Sequence, residues 1–258
     1  MNPSTAFAAI PRAYTLKRHI ARYKHRFWCP IDVAGALAAP IYLFPDQDRF
    51  DGDDVETISI RNLDGPLRLP HDHVIFEVTE QLHPGGCLAS YAMATETGVQ
   101  SLLFRFDAAR KVWTDVLVQT DFRAGGFAEA TVHPKIREPD QYLPYLEAAS
   151  SIVWRALGLL SASAPVAEHT ISRLRRAPFA KLGVRGWTYQ VVDIQPAMIA
   201  ATLTRGGGTH TSPRWHIRRG HWRQLQDGRR VFVRECEVGD QTRGGVIKDY
   251  RMELARAA

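Results

Sequence analysis

Five runs of strand-forming residues, followed by one long amphipathic segment, constrain the fold of this 258-residue chain most strongly. The runs alternate or carry β-branched and aromatic residues, and glycine, proline or aspartate separates them, which is typical of an antiparallel meander. They cover residues 55–61, 74–79, 88–95, 100–106 and 112–120. Apolar residues at helical spacing then predict a helix over 140–160. Because a sheet with one apolar face has to bury it, we expect this helix to cover the sheet.

The sequence therefore predicts an α+β protein in three parts. Residues 1–165 would form the helix-flanked antiparallel sheet, a candidate for protein or peptide recognition. Residues 166–186 are expected to be a basic linker or arm. Residues 187–258 would form a small basic antiparallel sheet, with strands over 187–194, 216–219, 222–225, 230–235 and 246–252. Asp227-Gly228 lies between two of these strands and is a strong hairpin signal.

Two upstream segments also carry charge patterns. An apolar stripe predicts a helix over residues 5–27, whose basic face is either a second nucleic-acid contact or a solvated surface. The basic residues assigned to that face are Lys17, Arg18, Arg22, Lys24 and Arg26. Residues 40–66 are rich in proline, glycine and aspartate and are expected to be a solvated acidic loop, because the EF-hand spacing is absent.

Positive charge is concentrated in the last third of the chain. The net charge is +6, but from residue 172 to the end there are 17 Lys+Arg against 7 Asp+Glu. This asymmetry indicates an anionic partner or a solvated basic surface. No apolar run reaches the roughly 18 residues of a membrane span, and the three well-separated cysteines favour a reducing cytoplasm. We therefore expect a cytoplasmic protein without a membrane partner.

The segment 210–223, HTSPRWHIRRGHWR, concentrates residue types that bind nucleic acid. Arginine makes bidentate contacts to phosphate, tryptophan stacks on unpaired bases, and histidine exchanges protons near neutral pH. We predict a nucleic-acid site here, for RNA before DNA. Its assigned residues are His210, Arg214, Trp215, His216, Arg218, Arg219, His221, Trp222, Arg223, Lys248 and Tyr250.

The same residue types also allow chemistry. Two imidazoles and a guanidinium suffice for metal-independent RNA cleavage by the 2′-hydroxyl, and the candidates are His216, His221 and Arg218. The alternatives are tryptophans in the core and arginines paired with carboxylates. A zinc site with Cys236 does not match familiar ligand spacings, so neither metal nor cofactor is predicted. Phosphate-loop, Rossmann, G-x-S-x-G and H-E-x-x-H motifs are absent, which argues against the corresponding enzyme classes.

The stretch PRWHIRRGHW resembles the C-terminal signature of a family of phage and plasmid proteins, in which a hairpin follows an HIRRGHWR-like sequence. Here QLQDGRRVFVRECEVGD and then GGVIKDYR follow it. The signature also resembles the type V-A anti-CRISPR family that silences production of its effector nuclease. This resemblance implies an inhibitor from a mobile element, acting in a bacterial host, that recognises a nascent polypeptide and causes loss of the mRNA under translation. The implied partners are RNA or the ribosome and a target polypeptide such as a CRISPR effector nuclease. A toxin-like RNase and a general nucleic-acid-binding phage protein are the alternatives.

Overall fold

The computed structural model describes most of the first 204 residues and five strands beyond them. The described residues of the first part are 10–63, 67–80, 85–123, 128–134 and 143–204. The chain divides into two compact units, Met1–Thr204 and Arg205–Ala258.

The described part of the first unit is built on a nine-stranded mixed sheet. Its strands are β1 (Ile41–Phe44), β2 (His73–Thr79), β3 (Cys87–Thr95), β4 (Gly98–Asp107), β5 (Val112–Trp113), β6 (Val118–Arg123), β7 (Ala128–Val132), β8 (Val166–Thr170) and β9 (Thr188–Val192). The spatial order is β7-β6-β4-β3-β2-β1-β9-β8, and β5 pairs with β4. Strand β1 is parallel to both β2 and β9, whereas the other neighbours are antiparallel.

Helices cover both faces of this sheet. They are α1 (Ala13–Tyr23), α2 (Val33–Ala38), α3 (Gln47–Phe50), α4 (Asp53–Asn62), α5 (Leu143–Ser161), α6 (Arg173–Ala180) and α7 (Pro196–Thr204). Side chains of α1, α2 and α6 share one apolar core with the sheet, and those of α3, α4, α5 and α7 share the other. The first unit is therefore a helix–sheet–helix sandwich.

Consecutive residues of the central strands enter different cores. Ile75 packs towards α1 and α2, whereas Phe76 packs towards α4 and α5, and both are fully buried. On the second face the helices approach closely. A Cβ atom at Gly158 of α5 would lie 2.7 Å from Cα of Ser59 in α4, so only glycine fits there without a shift.

The structure confirms the α+β class and several predicted elements. The runs at 74–79, 88–95 and 100–106 are β2, β3 and β4, and the helix predicted over 140–160 is described as α5. The sheet is mixed rather than antiparallel, because β1 enters it parallel to β2. The run at 112–120 is divided between β5 and β6.

The strand predicted at 55–61 is wrong, because these residues belong to helix α4. Val55 and Ile58, three positions apart, are both fully buried on one side of that helix. Acidic residues fill its first turn, where they interact favourably with the helix dipole. The expected loop at 40–66 also contains β1 and α3, and Asp46 caps α3 by accepting a hydrogen bond from the Arg49 amide.

The predicted linker at 166–186 is also ordered structure. It contains β8 and α6, and Phe179 of α6 is buried in the core beside α1. The strand predicted at 187–194 is β9, which lies between β1 and β8 in the large sheet and not in a separate C-terminal sheet.

Helix α1 is attached to its neighbours by two buried ionisable side chains. Lys17, expected on an exposed face, is only 1% exposed, and its Nζ donates to the carbonyls of Leu37 and Ala39 at the end of α2. Burial lowers the pKa of Lys17 to about 8. Glu77 of β2 accepts the amides of Arg12 and Ala13, and burial raises its pKa to about 7. Both groups satisfy backbone atoms that would otherwise be buried without partners.

Replacing Lys17 with methionine should destabilise the protein and change the pH dependence of its stability. The two carbonyls lose their donor, which costs roughly 1–3 kcal/mol. A lowered lysine pKa means that the unfolded chain binds more protons above about pH 8, so wild-type stability should gain a contribution as pH rises towards 10. Urea unfolding at pH 7, 8 and 9.5 measures the difference between Lys17→Met and wild type. The exposed Lys24→Met is the control, and a difference that stays constant with pH would contradict the assignment.

Candidate nucleic-acid interface

Seven of the eleven predicted nucleic-acid-binding residues lie on two strands of the second unit. Strand β10 (Arg214–Arg218) carries Arg214, Trp215, His216 and Arg218, and strand β11 (His221–Gln224) carries His221, Trp222 and Arg223. The other four, His210, Arg219, Lys248 and Tyr250, lie outside the described residues.

Three further strands are described in this unit. They are β12 (Arg230–Val233), β13 (Cys236–Val238) and β14 (Asp240–Gly245). Strand β10 pairs antiparallel with β13 and parallel with β14, and β11 pairs antiparallel with β12. The sequence predicts an antiparallel sheet here, but the pairing of β10 with β14 is parallel. The predicted strand at 246–252 and the turn residues Asp227-Gly228 lie outside the described residues.

The register of β10 separates its basic positions from one nearby carboxylate. Positions 214, 216 and 218 share one face of the strand because residues alternate along it. Cys236 and Val238 are opposite Arg218 and His216, whereas Glu237 is opposite Ile217 and so belongs to the other face. Arg214 is opposite Asp240 of β14. In the described pairing with β13, positions 216 and 218 have no carboxylate opposite them, whereas position 214 has Asp240 opposite it in β14.

The register of β11 divides its residues between two faces of the strand. Trp222 is opposite Phe232, and a cross-strand aromatic pair is typical of packing rather than of base stacking. His221 and Arg223 share the other face, opposite Val233 and Val231. Strands β10 and β11 belong to different sheets in the described part, so no strand pairing brings His216 beside His221.

A second basic surface lies on the first unit. The first 31 residues contain no aspartate or glutamate. Helix α1 exposes Arg18 and Arg22, and α6, on the same side of the sheet, exposes Arg173 and Arg175. The sequence pattern identified the α1 arginines. It missed Arg12, which immediately precedes α1, and Lys111, which approaches the helix only through folding.

The opposite side of the large sheet is acidic. Six carboxylates lie on α3, α4 and the residues that flank α3: Asp46, Asp48, Asp51, Asp53, Asp54 and Glu56. Arg155 of α5 lies 3.4 Å from Asp51 and 3.0 Å from Glu56. The first unit is therefore electrically polarised across its sheet, with part of the acidic side neutralised by its own arginines.

Some basic residues on the α1 and α6 side have structural contacts instead. The Arg176 Nε donates to the Ile171 carbonyl at 2.7 Å, and its guanidinium lies 5.7 Å from the centre of the Trp187 ring. The adjacent Arg175 is exposed and makes no comparable contact among the described residues.

The sequence His71-Asp72-His73 is interpreted as a turn. In the structure His71 and Asp72 form a bend, and His73 is the first residue of β2. His73 Nε2 lies 3.4 Å from Asp32 Oδ2, and its Nδ1 lies 2.9 Å from the Tyr91 hydroxyl oxygen. Asp32 also caps α2 by accepting the Gly35 amide. The cluster thus joins α2 to the sheet. Across the described residues, no group of three His, Cys, Asp or Glu side chains is arranged to hold a metal ion.

Comparisons with models of protein families, with curated proteins and with solved structures found no match. Within the part of the chain that the structure describes, no helix has the length and apolar character needed to cross a membrane. The charge distribution and the strand register are therefore the observations on which a functional proposal has to stand.

Replacing Arg176 should destabilise the protein, whereas replacing its neighbour Arg175 should not. Arg176→Ala removes the charged donor to the partly buried Ile171 carbonyl and the contact with the Trp187 ring. We therefore expect the free energy of unfolding to fall by roughly 1–3 kcal/mol. Arg175→Ala changes only an exposed side chain and should stay within about 0.5 kcal/mol of wild type. Thermal unfolding followed by circular dichroism measures both. Equal melting temperatures for the two variants would show that the Arg176 contacts do not stabilise the fold.

Proposed function

We propose that this protein binds RNA through the β10–β11 segment and acts as a mobile-element inhibitor of gene expression. The observation that carries the RNA-binding proposal is the register of β10 with β13, in which positions 216 and 218 share a face and have no carboxylate opposite them among the described residues. Basic residues at such positions would be available to an external anion. The proposed partner is RNA, alone or on the ribosome.

The proposed chemistry divides the segment by residue type. Arg218 and Arg223 supply bidentate contacts to phosphate, which position an RNA without reading its sequence. Trp215 is the tryptophan proposed to stack on an unpaired base. The other one, Trp222, is opposite Phe232, and this register favours a packing role for Trp222. His216 and His221 add donors and acceptors that distinguish RNA through its 2′-hydroxyl.

The biological setting of the proposal comes from the resemblance of the HIRRGHWR-like signature to the type V-A anti-CRISPR family. By that resemblance, the protein recognises a target polypeptide during its synthesis in the host cytoplasm and causes loss of the corresponding mRNA. The first unit is the proposed recognition part and the basic strands of the second unit the RNA- or ribosome-facing part. This division assigns different roles to the two units, and the two can be tested separately.

Arg218→Ala and His216→Ala should weaken RNA binding without unfolding the protein. Loss of one charge-assisted phosphate contact is worth roughly 1.5–3 kcal/mol, so Arg218→Ala should lower the affinity about tenfold or more. The slope of log affinity against log salt should fall by about 0.7 for a single strand. Fluorescence anisotropy with a labelled 20-nucleotide RNA at 50 and 200 mM salt measures both quantities.

The matched control is Arg68→Ala, because Arg68 is an exposed arginine outside the proposed interface. Affinity and salt slope identical to wild type in Arg218→Ala would contradict the proposal. Gel analysis of the same RNA in EDTA tests the nuclease alternative. If the wild-type protein cleaves this RNA and His216→Ala or His221→Ala does not, the function is metal-independent RNA cleavage and not binding alone.

If a nascent polypeptide is recognised, the codons of the target message should be interchangeable. In a cell-free translation system, the protein should lower the mRNA of a type V-A effector nuclease both with its natural codons and after synonymous recoding of its 5′ region. A frameshift over the same region changes the peptide but hardly changes the RNA, and should abolish the effect. Quantitative PCR of the message measures the outcome. Sensitivity that follows the RNA sequence instead of the reading frame would overturn nascent-chain recognition.

A further inference from the structure

A groove of about 450 Å³ lies between helix α1 and the segment that joins β4 to β5. Every charged side chain that lines it is basic, and histidine and aromatic rings complete the lining. The basic residues are Arg12, Arg18, Arg22 and Lys111. Among the described residues, no carboxylate lies within 4.0 Å of any of these four cationic groups. The groove is thus a concave basic surface whose cationic groups form no close ion pair among the described residues.

The spacing along α1 places these side chains on one wall. Arg12, Thr15, His19 and Arg22 recur at three- and four-residue intervals, which is one stripe of a helix. Arg18 and Arg22 are four residues apart, where like charges destabilise a helix by roughly 0.2–0.5 kcal/mol. No described acidic side chain forms an ion pair with either arginine. A bound anion would therefore reduce the repulsion between them.

The wall is held rigidly. The amides of Arg12 and Ala13 donate to the buried carboxylate of Glu77, and the Trp113 Nε1 donates to the Thr15 hydroxyl at 2.8 Å. The Arg12 guanidinium carbon lies over the Phe106 ring, 4.3 Å from its centre. Binding therefore requires little ordering of the helix itself, and preorganisation of this kind favours affinity.

Ring surfaces distinguish the groove from a simple basic patch. His19 and Tyr23 lie at its edge with their ring centres 4.8 Å apart, and both are half-buried. Burial lowers the pKa of His19, so the permanent positive charge comes from the arginines and Lys111. Alternation of cationic and flat side chains suits a strand that offers both phosphates and unstacked bases. An acidic peptide would use the charges but not the rings.

We propose that this groove is a second RNA-binding surface, which holds the phosphates of a short single-stranded segment between Arg18, Arg22 and Lys111. It rests on the proposed function, because it assigns a further contact to the same class of ligand. Arg12, whose guanidinium lies over Phe106, also lines the groove. The site is distinct from the β10–β11 segment and can be removed independently.

The test is the double variant Arg18→Ala/Arg22→Ala in the full chain, with the labelled 20-nucleotide single-stranded RNA. Two phosphate contacts are lost, so we expect the salt slope to fall by about 1.4 and the affinity at 100 mM salt to fall at least tenfold. Arg18→Lys/Arg22→Lys keeps the charges and should retain most of the salt slope. The melting temperature of both variants is measured as well. If the alanine variant unfolds, the lysine variant still tests the proposal. A lysine variant that loses the whole slope would overturn the proposal.

The matched control is Arg173→Ala/Arg175→Ala, which removes two exposed arginines from α6 on the same side of the sheet. An equal loss in this control would overturn the groove in favour of a diffuse basic surface. Unchanged binding in Arg18→Ala/Arg22→Ala together with weakened binding in Arg218→Ala would overturn the groove alone. The reverse pattern would support the groove and overturn the β10 assignment. A poly-glutamate peptide of 20 residues should compete poorly, and competition equal to that of unlabelled RNA would also overturn the proposal.

Discussion

The central strands of the large sheet are apolar on both faces, and the rest of the first unit follows from this. Ile75 and Phe76 are adjacent in β2, point to opposite sides and are both fully buried. Each side chain of this size contributes roughly 1.5–3 kcal/mol when it is removed from water. One helical layer would leave half of this surface exposed, so the chain places α1, α2 and α6 on one face and α3, α4, α5 and α7 on the other.

Two-sided burial also explains why ionisable groups are found inside the α1 layer. Glu77 alternates with the apolar residues of β2 and therefore faces α1, where it accepts two amides at the beginning of that helix. Lys17 points inward from α1 to the end of α2. A buried polar group without a partner is strongly unfavourable, so each of these side chains fixes the position of its helix. The basic stripe of α1 depends on the same contacts, because they determine which face of the helix remains outside.

The sequence predicted the elements whose signal is local. The runs that became β2, β3 and β4 are long and apolar, and α5 has an amphipathic pattern of its own. The parallel pairing of β1 with β2 and β9 was not predictable, because it joins segments about 30 and 150 residues apart. Helix α4 was mistaken for a strand because VETISIR alternates. Its acidic first turn and the three-residue spacing of Val55 and Ile58 override that pattern.

The candidate sites also combine local sequence signals with features that only the fold reveals. The density of arginine and histidine at 210–223 is a property of the sequence, and the register of β10 sharpened it to positions 216 and 218. The groove on α1 combines a local stripe with Lys111, which is 99 positions from Arg12 and reaches it only through the packing of α1 beside β4 and β5. The basic residues on one face of the predicted helix were the sequence signal for this surface, and the absence of acidic residues before Asp32 is a further signal that could have been used.

The two sides of the first unit differ in how their charged side chains are paired. On the acidic side, Arg155 and Arg49 pair with carboxylates of α4 and of the residues that flank α3. On the basic side, three arginines contact aromatic rings: Arg12 lies over Phe106, Arg26 over Tyr23 and Arg176 over Trp187. A ring orients a guanidinium without neutralising it. Arg12, Arg26 and Arg176 therefore form no ion pair with a described carboxylate, whereas the acidic side is partly neutralised by its own arginines. The RNA ligand that we propose would meet these cations on the α1 side and the carboxylates of α3 and α4 on the other.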